Sequence, residues 1–353
     1  VYCIDDIGAQ EIDDGISIET VKDGSSDVWL HVHVANPTAF FDKTHTLSGL
    51  AAHMTETVYT PERTFPMLPT WATQGHFSLD RDRPVITFST RVDRLGSVIE
   101  TKIQHGIIRN IVSITPSELA SVLGDHSTAE VRKLVVGGEV SVGAKNRAPP
   151  EVSSSQLQEL HDLYVAAKAL WAVRKAAGGI RFSTPSPSVR VFQNAAHAGL
   201  SWSPPSMDRA RHMTGDPIIE LASLIPKGFV QHDIGPRNIV EEMMLLACQT
   251  AASWCSERQL PVMYRGTIET PPSGDLPAEQ IKQIAMAHLA KYGDLPVELG
   301  MRYIRSVGRA VAHSAPLPHK LIGVPGYVRV TSPLRRFSDM ITHWQIEAAI
   351  RHE

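Results

Sequence analysis

The sequence lacks three features that define large classes of protein. It has only 3 cysteines among 353 residues, too few for a disulfide framework and without the C-x-x-C spacing of many metal sites. No apolar run approaches the roughly 18 residues that are needed to span a bilayer. A basic excess is also missing, because 34 Lys+Arg oppose 37 Asp+Glu and the formal net charge is −3. These absences exclude a disulfide-rich scaffold and a membrane-spanning helix, and they argue against a protein that binds polyanions by bulk charge.

The sequence opens with Val1 in VYCIDD, which is neither a signal peptide nor a transit peptide. We therefore expect the chain to be a fragment whose targeting sequence and neighbouring domains lie outside it. The low cysteine content indicates a reducing, intracellular compartment. Cys248 and Cys255 are seven residues apart, so we expect both thiols on one buried helix face.

Hydrophobic patterning predicts an α+β fold. Apolar residues make up 42 % of the chain and charged residues 20 %, as is typical of folded proteins. Runs of period 2 come early in the chain, and helical periodicity with Pro or Ser at the helix starts comes later. We predict strands at 28–36, 85–93 and 97–108, helices at 154–177, 236–257, 277–292, 297–313 and 333–352, and a surface insertion at 124–155. Strands followed by helices favour α+β, or a mixed sheet with helices packed over it.

The stretch IDDIGAQEIDDGI, near the start of the chain, is rich in carboxylates. Residues 5–14 contain Asp5, Asp6, Glu11, Asp13 and Asp14, whereas the composition of the whole chain would place about one carboxylate in ten residues. Interleaved isoleucines indicate that the stretch is anchored in the core. Clustered carboxylates repel one another unless a cation neutralises them, and hard oxygen ligands suit Mg²⁺ or Mn²⁺. The alternative is a turn-rich loop in which the aspartates cap neighbouring elements.

The segment TSPLRRFSDMITHWQ predicts a helix start with an unfavourable charge. Ser332 is the predicted N-cap and Pro333 the first helical residue, so Arg335 and Arg336 fall in the first turn, where the helix dipole disfavours cations. Two guanidinium groups near free backbone N–H groups could bind a phosphate. The alternative is an ion pair of Arg335 with Asp339, four residues further along the helix.

Six segments of the chain, in this order, resemble the catalytic RNB domain of the ribonuclease II/ribonuclease R exoribonucleases. They are IDDIGAQEIDDGIS (4–17), WLHVHVANPTAFF (29–41), ETVYTPERTFPMLP (56–69), HFSLD (76–80), NIVEEMMLLA (238–247) and YVRVTSPLRRFSDMITHWQI (327–346). The resemblance covers nearly the whole chain and is greatest to the mitochondrial, degradosome-associated branch. It implies a single RNB catalytic fold over 1–353, with helices packed around a deep RNA channel. The implied activity is Mg²⁺-dependent (Mn²⁺ being the alternative) hydrolysis of single-stranded RNA from the 3′ end to 5′-mononucleotides.

The resemblance also implies roles for four of the carboxylates. Asp5 and Asp14 match direct metal ligands, and Asp14 also counts among the catalytic residues. Glu11 matches a residue that holds a metal-bound water, although the family usually has Asp at this position. Asp13 matches the residue that positions the second metal or the attacking water.

Further residues match positions that contact RNA. Arg335 matches the catalytic arginine, and Arg336 would support a phosphate or the local structure. Tyr59 matches the aromatic that stacks on a base near the scissile phosphate, and stacking suits a sequence-tolerant exonuclease. The remaining expectations are Phe182 as the partner aromatic at the 3′ end, Glu241 (with Glu242 as the alternative) bonded to the terminal ribose, and Arg265 on the phosphate backbone.

A second hypothesis is a degenerate RNB domain that binds RNA or a helicase without cleaving. Such relatives typically lose the aspartate pair, which is present here as Asp13 and Asp14. The branch resemblance implies an RNA helicase as a partner and the mitochondrion as the compartment. The cold-shock and S1 modules that usually flank this domain are not recognisable in the sequence.

Overall fold

A six-stranded sheet is built mainly from the first third of the chain. The computed structural model describes residues 1–6, 9, 11–61, 64–125, 130–138, 151–183, 186–192, 218–225, 228–268 and 276–353. Its first eight strands are β1 (Tyr2–Ile4), β2 (Asp14–Thr20), β3 (Val28–Ala35), β4 (Val58–Tyr59), β5 (Thr64–Phe65), β6 (Pro84–Val92), β7 (Val98–Ile107) and β8 (Val112–Ile114). The sheet order is β7-β6-β3-β2-β1-β8, with β1 and β8 parallel and the other pairs antiparallel. The sheet is therefore mixed, and the strands predicted at 28–36, 85–93 and 97–108 are confirmed.

The remaining strands form smaller sheets. They are β9 (Glu130–Val136), β10 (Arg181–Phe182), β11 (Ser186–Phe192), β12 (Ile218–Ile225), β13 (Val230–Gln231), β14 (Tyr264–Ile268) and β15 (Arg309–His313). Strands β11, β12 and β9 form an antiparallel sheet in that order, while β10 pairs with β13 and β14 pairs with β15. Part of the predicted surface insertion at 124–155 thus forms β9, and its residues 126–129 and 139–150 lie outside the described part of the chain.

Most of the helices come later in the chain. The α-helices are α1 (Thr46–Met54), α2 (Thr70–Ala72), α3 (Pro116–Val122), α4 (Ser154–Ala176), α5 (Ile239–Glu257), α6 (Ala278–Tyr292), α7 (Val297–Val307) and α8 (Phe337–His352). Helix α4 begins with a capping box in which Ser153 and Gln156 each bond the other's backbone N–H, and Gly178, with φ +92°, follows its end. No helix in the described ranges is both long and apolar enough to cross a membrane.

The predicted helix at 297–313 is wrong in its second half. Helix α7 ends at Val307, and Gly308 follows with φ +110°. Residues 309–313 then form β15, which pairs antiparallel with β14. The sequence RAVAH continues the helical pattern, but a partner strand more than 40 residues earlier determines its structure.

The predicted start of the last helix is also wrong. Helix α8 begins at Phe337, not at Pro333, and Ser332 is not its N-cap. The backbone N–H groups of Arg335 and Arg336 donate to the carbonyl of Ser332, and Arg336 is extended at φ −138°, ψ 119°. Arg336 is therefore the N-cap of α8 and Arg335 lies before the helix, so neither arginine is in its first turn.

The acidic stretch is anchored where two apolar cores meet. Tyr2 and Ile4 of β1 belong to a large core with α4 and α5, whereas Cys3 between them belongs to a second core with Met67 and Met340. Ile12 packs against the second core, and Ile16 lies in the first. The segment that carries the carboxylates is thus held by apolar contacts at both ends, as its isoleucines predicted.

The cysteines are buried and reduced. Cys3 is in the second core, while Cys248 and Cys255 are both on α5 in the first core, as predicted from their spacing. Burial raises the pKa of the Cys3 and Cys255 thiols to about 12 and that of Cys248 to about 11.

Candidate active site

Asp13 joins the acidic stretch to the turn that precedes α8. Its side chain is 5 % exposed, and its backbone carbonyl accepts a hydrogen bond from Ala35 N–H at 2.7 Å. One carboxylate oxygen accepts from Leu334 N–H at 2.9 Å, and the other from Arg335 Nε at 3.1 Å. Burial raises the pKa of Asp13 to about 7, although Arg335 and the Leu334 N–H oppose that shift. Asp13 therefore fixes Arg335 beside the other carboxylates.

Asp14 and Asp5 lie close enough to repel each other. Burial raises the pKa of Asp14 to about 8, and the negative charges of Asp13 and Asp5 add to this effect. The pKa of Asp5 is also raised, first by burial and then by the charge of Asp6. The ionised form of each carboxylate is thus less stable here than it is in water. A cation placed between the two carboxylates would stabilise the ionised forms.

The donor set fits a hard cation in its chemistry. All of the nearby acidic groups are carboxylates, the ligands that Mg²⁺ and Mn²⁺ prefer, and Mg²⁺ needs only one or two of them besides water and phosphate oxygens. Among the described residues, no group of three or more His, Cys, Asp or Glu side chains has an arrangement that could hold a metal ion. Asp5 and Asp14, whose charges interact, are the candidates for holding a cation at this site.

Glu11 lies close enough to Arg335 for the positive charge to affect its carboxyl group. Burial raises its pKa, while a hydrogen bond from Thr73 and the charge of Arg335 oppose the shift. The flanking backbone is fixed because Ile12 N–H donates to Ser78 Oγ at 2.7 Å. Thr73 is fully buried, and no motif in the sequence indicated that it contacts the site.

Tyr59 presents an exposed ring next to Arg335. The side chain is 62 % exposed, and its hydroxyl hydrogen-bonds with Arg335. The two segments run side by side: Thr57 N–H donates to the Arg335 carbonyl at 2.9 Å, and Phe337 N–H donates to the Thr55 carbonyl at 2.8 Å. The side chain is therefore accessible to a ligand, and its stacking role stays a prediction.

Arg336 points away from Arg335 and binds Asp339. Its Nε and Nη2 donate to one oxygen of Asp339 at 3.1 and 2.7 Å, and Ser332 N–H donates to the same oxygen at 3.0 Å. Asp339 is fully buried. The alternative of an ion pair between Arg335 and Asp339 is therefore wrong, since Arg336 binds Asp339 and Arg335 binds Asp13.

The two glutamates at the start of α5 have different environments. Glu242 is 1 % exposed and accepts hydrogen bonds from Arg174, at 2.5 and 3.0 Å, and from Arg181, at 3.0 Å. The Glu241 side chain is 51 % exposed and forms an ion pair with Arg181. Glu241 therefore keeps solvent access for a ligand, whereas both oxygens of Glu242 bond to arginines.

Phe182 lies in a third, smaller apolar cluster. Its ring centroid is 5.2 Å from that of Phe229 and 6.4 Å from that of Tyr303, and the side chain is half-buried. The contacts of the described residues do not connect it with the carboxylates, so its pairing with Tyr59 stays a prediction.

The chain matches the model of one protein family along almost its whole length. The RNB domain model covers residues 1–352. The chain is 33 % identical, over 367 residues, to mitochondrial protein cyt-4 of Neurospora crassa, and 27 % identical, over 353 residues, to the mitochondrial exoribonuclease II of Schizosaccharomyces pombe. These alignments cover 100 % and 99 % of the chain but 31 % and 35 % of the relatives, so the chain spans about a third of their length.

Solved structures share the fold. An active-site mutant of the Dss1 exoribonuclease from Candida glabrata superposes with a TM-score of 0.73 at 23 % identity, over 100 % of this chain and 42 % of that one. Yeast Ssd1, described as a pseudonuclease, superposes with a TM-score of 0.60 at 13 % identity, over 99 % and 39 %. The mixed sheet, its helices and the family match agree with one another, and the chain belongs to the RNB domain family. Because the same fold occurs in a pseudonuclease, activity depends on the residues of the site and not on the fold alone.

Proposed function

We propose that this chain is the catalytic domain of an exoribonuclease that hydrolyses single-stranded RNA from its 3′ end and releases 5′-mononucleotides. One observation carries the proposal: the Asp13–Arg335 ion pair joins a repelling carboxylate cluster to a cationic side chain and to the exposed ring of Tyr59. The exoribonuclease names of several relatives support it.

Asp5 and Asp14 would hold a Mg²⁺ or Mn²⁺ ion. When bound, such an ion supplies Lewis-acid polarisation of a phosphoryl oxygen and lowers the pKa of water. Glu11, whose carboxyl group is within reach of the charge of Arg335, would orient the attacking water through a hydrogen bond. Asp13 has both oxygens engaged, so we assign it the positioning of Arg335 rather than a direct contact with the nucleophile.

Arg335 would stabilise the charge that develops on the phosphoryl oxygens. Its Nε bonds to Asp13 while the side chain stays 44 % exposed, which leaves guanidinium N–H groups for the substrate. An arginine held in advance by a buried carboxylate loses less entropy when the transition state forms. Tyr59 would stack on the base beside the scissile bond.

Glu241 is our candidate for recognising the terminal ribose. Its exposed carboxylate can accept a hydrogen bond from a 2′-hydroxyl, a group that DNA lacks. Arg336 would support the turn through Asp339, and Phe182 is the candidate for a second stacking contact. The mitochondrial relatives favour a mitochondrial location for the whole protein, and an RNA helicase stays our candidate partner.

The test is an exonuclease assay on 5′-labelled single-stranded RNA and DNA with Mg²⁺ and with EDTA. We expect a ladder that shortens from the 3′ end, on RNA only and with Mg²⁺ only. Asp14→Asn should lower the rate by about 10²-fold or more, because it removes a ligand of the charge-stabilising ion. An Asp14→Asn protein that degraded oligo(A) at the wild-type rate would contradict the proposal, and wild-type protein that binds RNA without cleaving it would indicate the degenerate class.

A further inference from the structure

The guanidinium group of Arg181 connects the exposed Glu241 to the buried ion pairs between α4 and α5. The register of β10 and β13 places Arg181 opposite Gln231, whose Oε1 accepts a hydrogen bond from Arg181 Nε at 3.4 Å. Nη1 donates to Glu242 Oε1 at 3.0 Å, and Nη2 donates to Glu241 Oε2. Each of the three guanidinium nitrogens therefore has its own acceptor.

The surroundings of Arg181 hold its side chain in one orientation. The side chain is 10 % exposed, and the guanidinium carbon lies 5.8 Å from the centroid of the Trp171 ring. That ring is itself fixed, because Trp171 Nε1 donates to the His232 carbonyl at 2.8 Å. Glu242, the acceptor of Nη1, is fully buried and is also bound by Arg174. A guanidinium group held on several sides presents its remaining donor, Nη2, in one direction.

Glu241 is ordered by this donor. Its side chain is 51 % exposed and lies in the first turn of α5. Among the described residues, Arg181 alone bonds to the Glu241 carboxylate, through Oε2, and Oε1 accepts no hydrogen bond. An exposed glutamate without a partner samples several rotamers, and a ligand that orders it has to offset the lost side-chain entropy. Bonded to Arg181, the carboxylate is ordered in advance, with Oε1 open to a hydroxyl donor.

The requirements of folding do not account for the contact with Glu241. Arg174 already binds both oxygens of Glu242, with Nε on one and Nη2 on the other. An ion pair with a half-exposed carboxylate contributes little to stability, because water competes for both groups. A lysine in place of Arg181 would bring one ammonium group to Glu242, whereas the fork of an arginine reaches two carboxylates in fixed directions. The residue type therefore suits a role in orienting Glu241.

We propose that Arg181 is a positioning residue, which orients the Glu241 carboxylate towards the 2′-hydroxyl of the terminal nucleotide and so increases the preference for RNA over DNA. The inference rests on the proposed function, because it takes Glu241 as the group that contacts the ribose. Arg181 would act through Glu241 and not on the substrate, since its own nitrogens already have acceptors. No motif in the sequence indicated this role, because Gln231 and Glu241 are 50 and 60 positions away.

The experiment measures how well each variant distinguishes a 2′-hydroxyl at the 3′ end. Two 5′-labelled oligo(A) substrates are used with Mg²⁺, one of RNA throughout and one with a 2′-deoxy sugar in its terminal nucleotide. The selectivity ratio is kcat/KM for the first divided by kcat/KM for the second. We expect Glu241→Gln to lower this ratio by roughly tenfold, as for the loss of one hydrogen bond to a charged group, and Arg181→Lys and Arg181→Gln to lower it nearly as much. Arg174→Lys disturbs the same buried ion pairs without contacting Glu241, and it should keep the wild-type ratio.

A double variant separates positioning from a structural role. If Arg181 acts through Glu241, Arg181→Lys combined with Glu241→Gln should have the ratio of Glu241→Gln alone, because no ionised carboxylate is left to orient. A structural role would slow both substrates equally and leave the ratio of each Arg181 variant unchanged. An unchanged ratio in the Arg181 variants or in Glu241→Gln, a further fall in the double variant, or an equal fall in Arg174→Lys would each overturn the inference.

A binding measurement keeps this inference separate from the proposed function. Kd values of the same two oligonucleotides, labelled with fluorescein, are measured by anisotropy in EDTA, and we expect the variants to follow the same order in the ratio of the two Kd values. Wild-type protein that shows this order but releases no mononucleotide would support the positioning role and contradict the proposed function alone. Wild-type protein that degrades RNA with a selectivity ratio that the Arg181 variants retain would contradict the positioning role alone.

Discussion

At the residue scale, Arg335 and Arg336 show how one residue type takes two roles at consecutive positions. Their residue types and order predicted phosphate contact, but their partners could not be predicted. Asp13 is 322 positions from Arg335, and only the extended backbone at Arg336 sends the two side chains in opposite directions. The density of carboxylates at 5–14 predicts a site there, whereas buried Thr73 beside Glu11 gave no signal in the sequence.

Replacing Asp14 should stabilise the metal-free protein, and more so at higher pH. The pKa of Asp14 is raised from its usual 3.8 to about 8, so the folded state keeps its proton where the unfolded state has lost it. The free energy of unfolding of the wild type is therefore highest, as far as Asp14 is concerned, below pH 4, and it falls as pH rises towards 8. We therefore expect the free energy of unfolding of Asp14→Asn, minus that of wild type, to grow between pH 5 and pH 8, measured by urea titration in EDTA. A difference that stays constant across this range would contradict the prediction.

Mg²⁺ should stabilise the wild type through the same carboxylate. A ligand that binds only the folded state at 100 times its Kd adds about 2.7 kcal/mol. We expect Tm at pH 8 to rise with Mg²⁺ or Mn²⁺ in wild type and in Asp162→Asn, a control on α4, but not in Asp14→Asn. An equal rise in all three proteins would place the ion elsewhere.

At the element scale, the start of α5 carries two adjacent glutamates, the exposed Glu241 and the buried Glu242. Glu242→Gln should lower the free energy of unfolding by about 3 kcal/mol, because Arg174 and Arg181 then lack a buried counter-charge. Glu241→Gln should change stability little and should reduce the preference for RNA over DNA. Urea unfolding and paired RNA and DNA assays test both, and the reverse pattern would assign the ribose contact to Glu242.

The end of α7 offers a second element-scale test. A Cβ at Gly308 would overlap the carbonyl of Ile268, and φ +110° with ψ −179° is accessible almost only to glycine. Gly308→Ala should therefore cost about 2–3 kcal/mol in urea unfolding. Gly293→Ala, at φ +73° with nothing within 4 Å of the new methyl group, should cost about 1 kcal/mol or less. Similar losses of stability in both variants would show that the close contact between Gly308 and the Ile268 carbonyl of β14 is unimportant.

Local patterns predicted most elements, and they failed where distant pairing decides the structure. The strand at 28–35 alternates clearly between buried and half-buried residues, and Ser153 with Gln156 marks the start of α4. The strand at 309–313 depends on β14, and the turn at Ser332–Arg336 depends on Asp13 and Asp339. Neither dependence is visible in a window of neighbouring residues.

At the scale of the whole molecule, a net charge of −3 would limit how strongly this chain retains the RNA substrate that we propose. Under the proposed function, attraction would come from few contacts at the candidate active site rather than from a general positive field. We expect the isolated chain to degrade distributively, so that intermediates of every length accumulate when RNA is in excess over protein. If a denaturing gel instead showed some RNA molecules fully digested while others remained intact, degradation would be processive, which these contacts do not explain.

The three buried thiols make the stability of each core measurable on its own. Because their pKa values are raised and their side chains are enclosed, an alkylating reagent reaches each sulfur only when the surrounding core opens. Cys3 therefore reports opening of the core beside the acidic stretch, while Cys248 and Cys255 report opening of the core beneath α5. Mass spectrometry of the labelled peptides would follow both openings in a single sample, with the native sequence serving as its own probe.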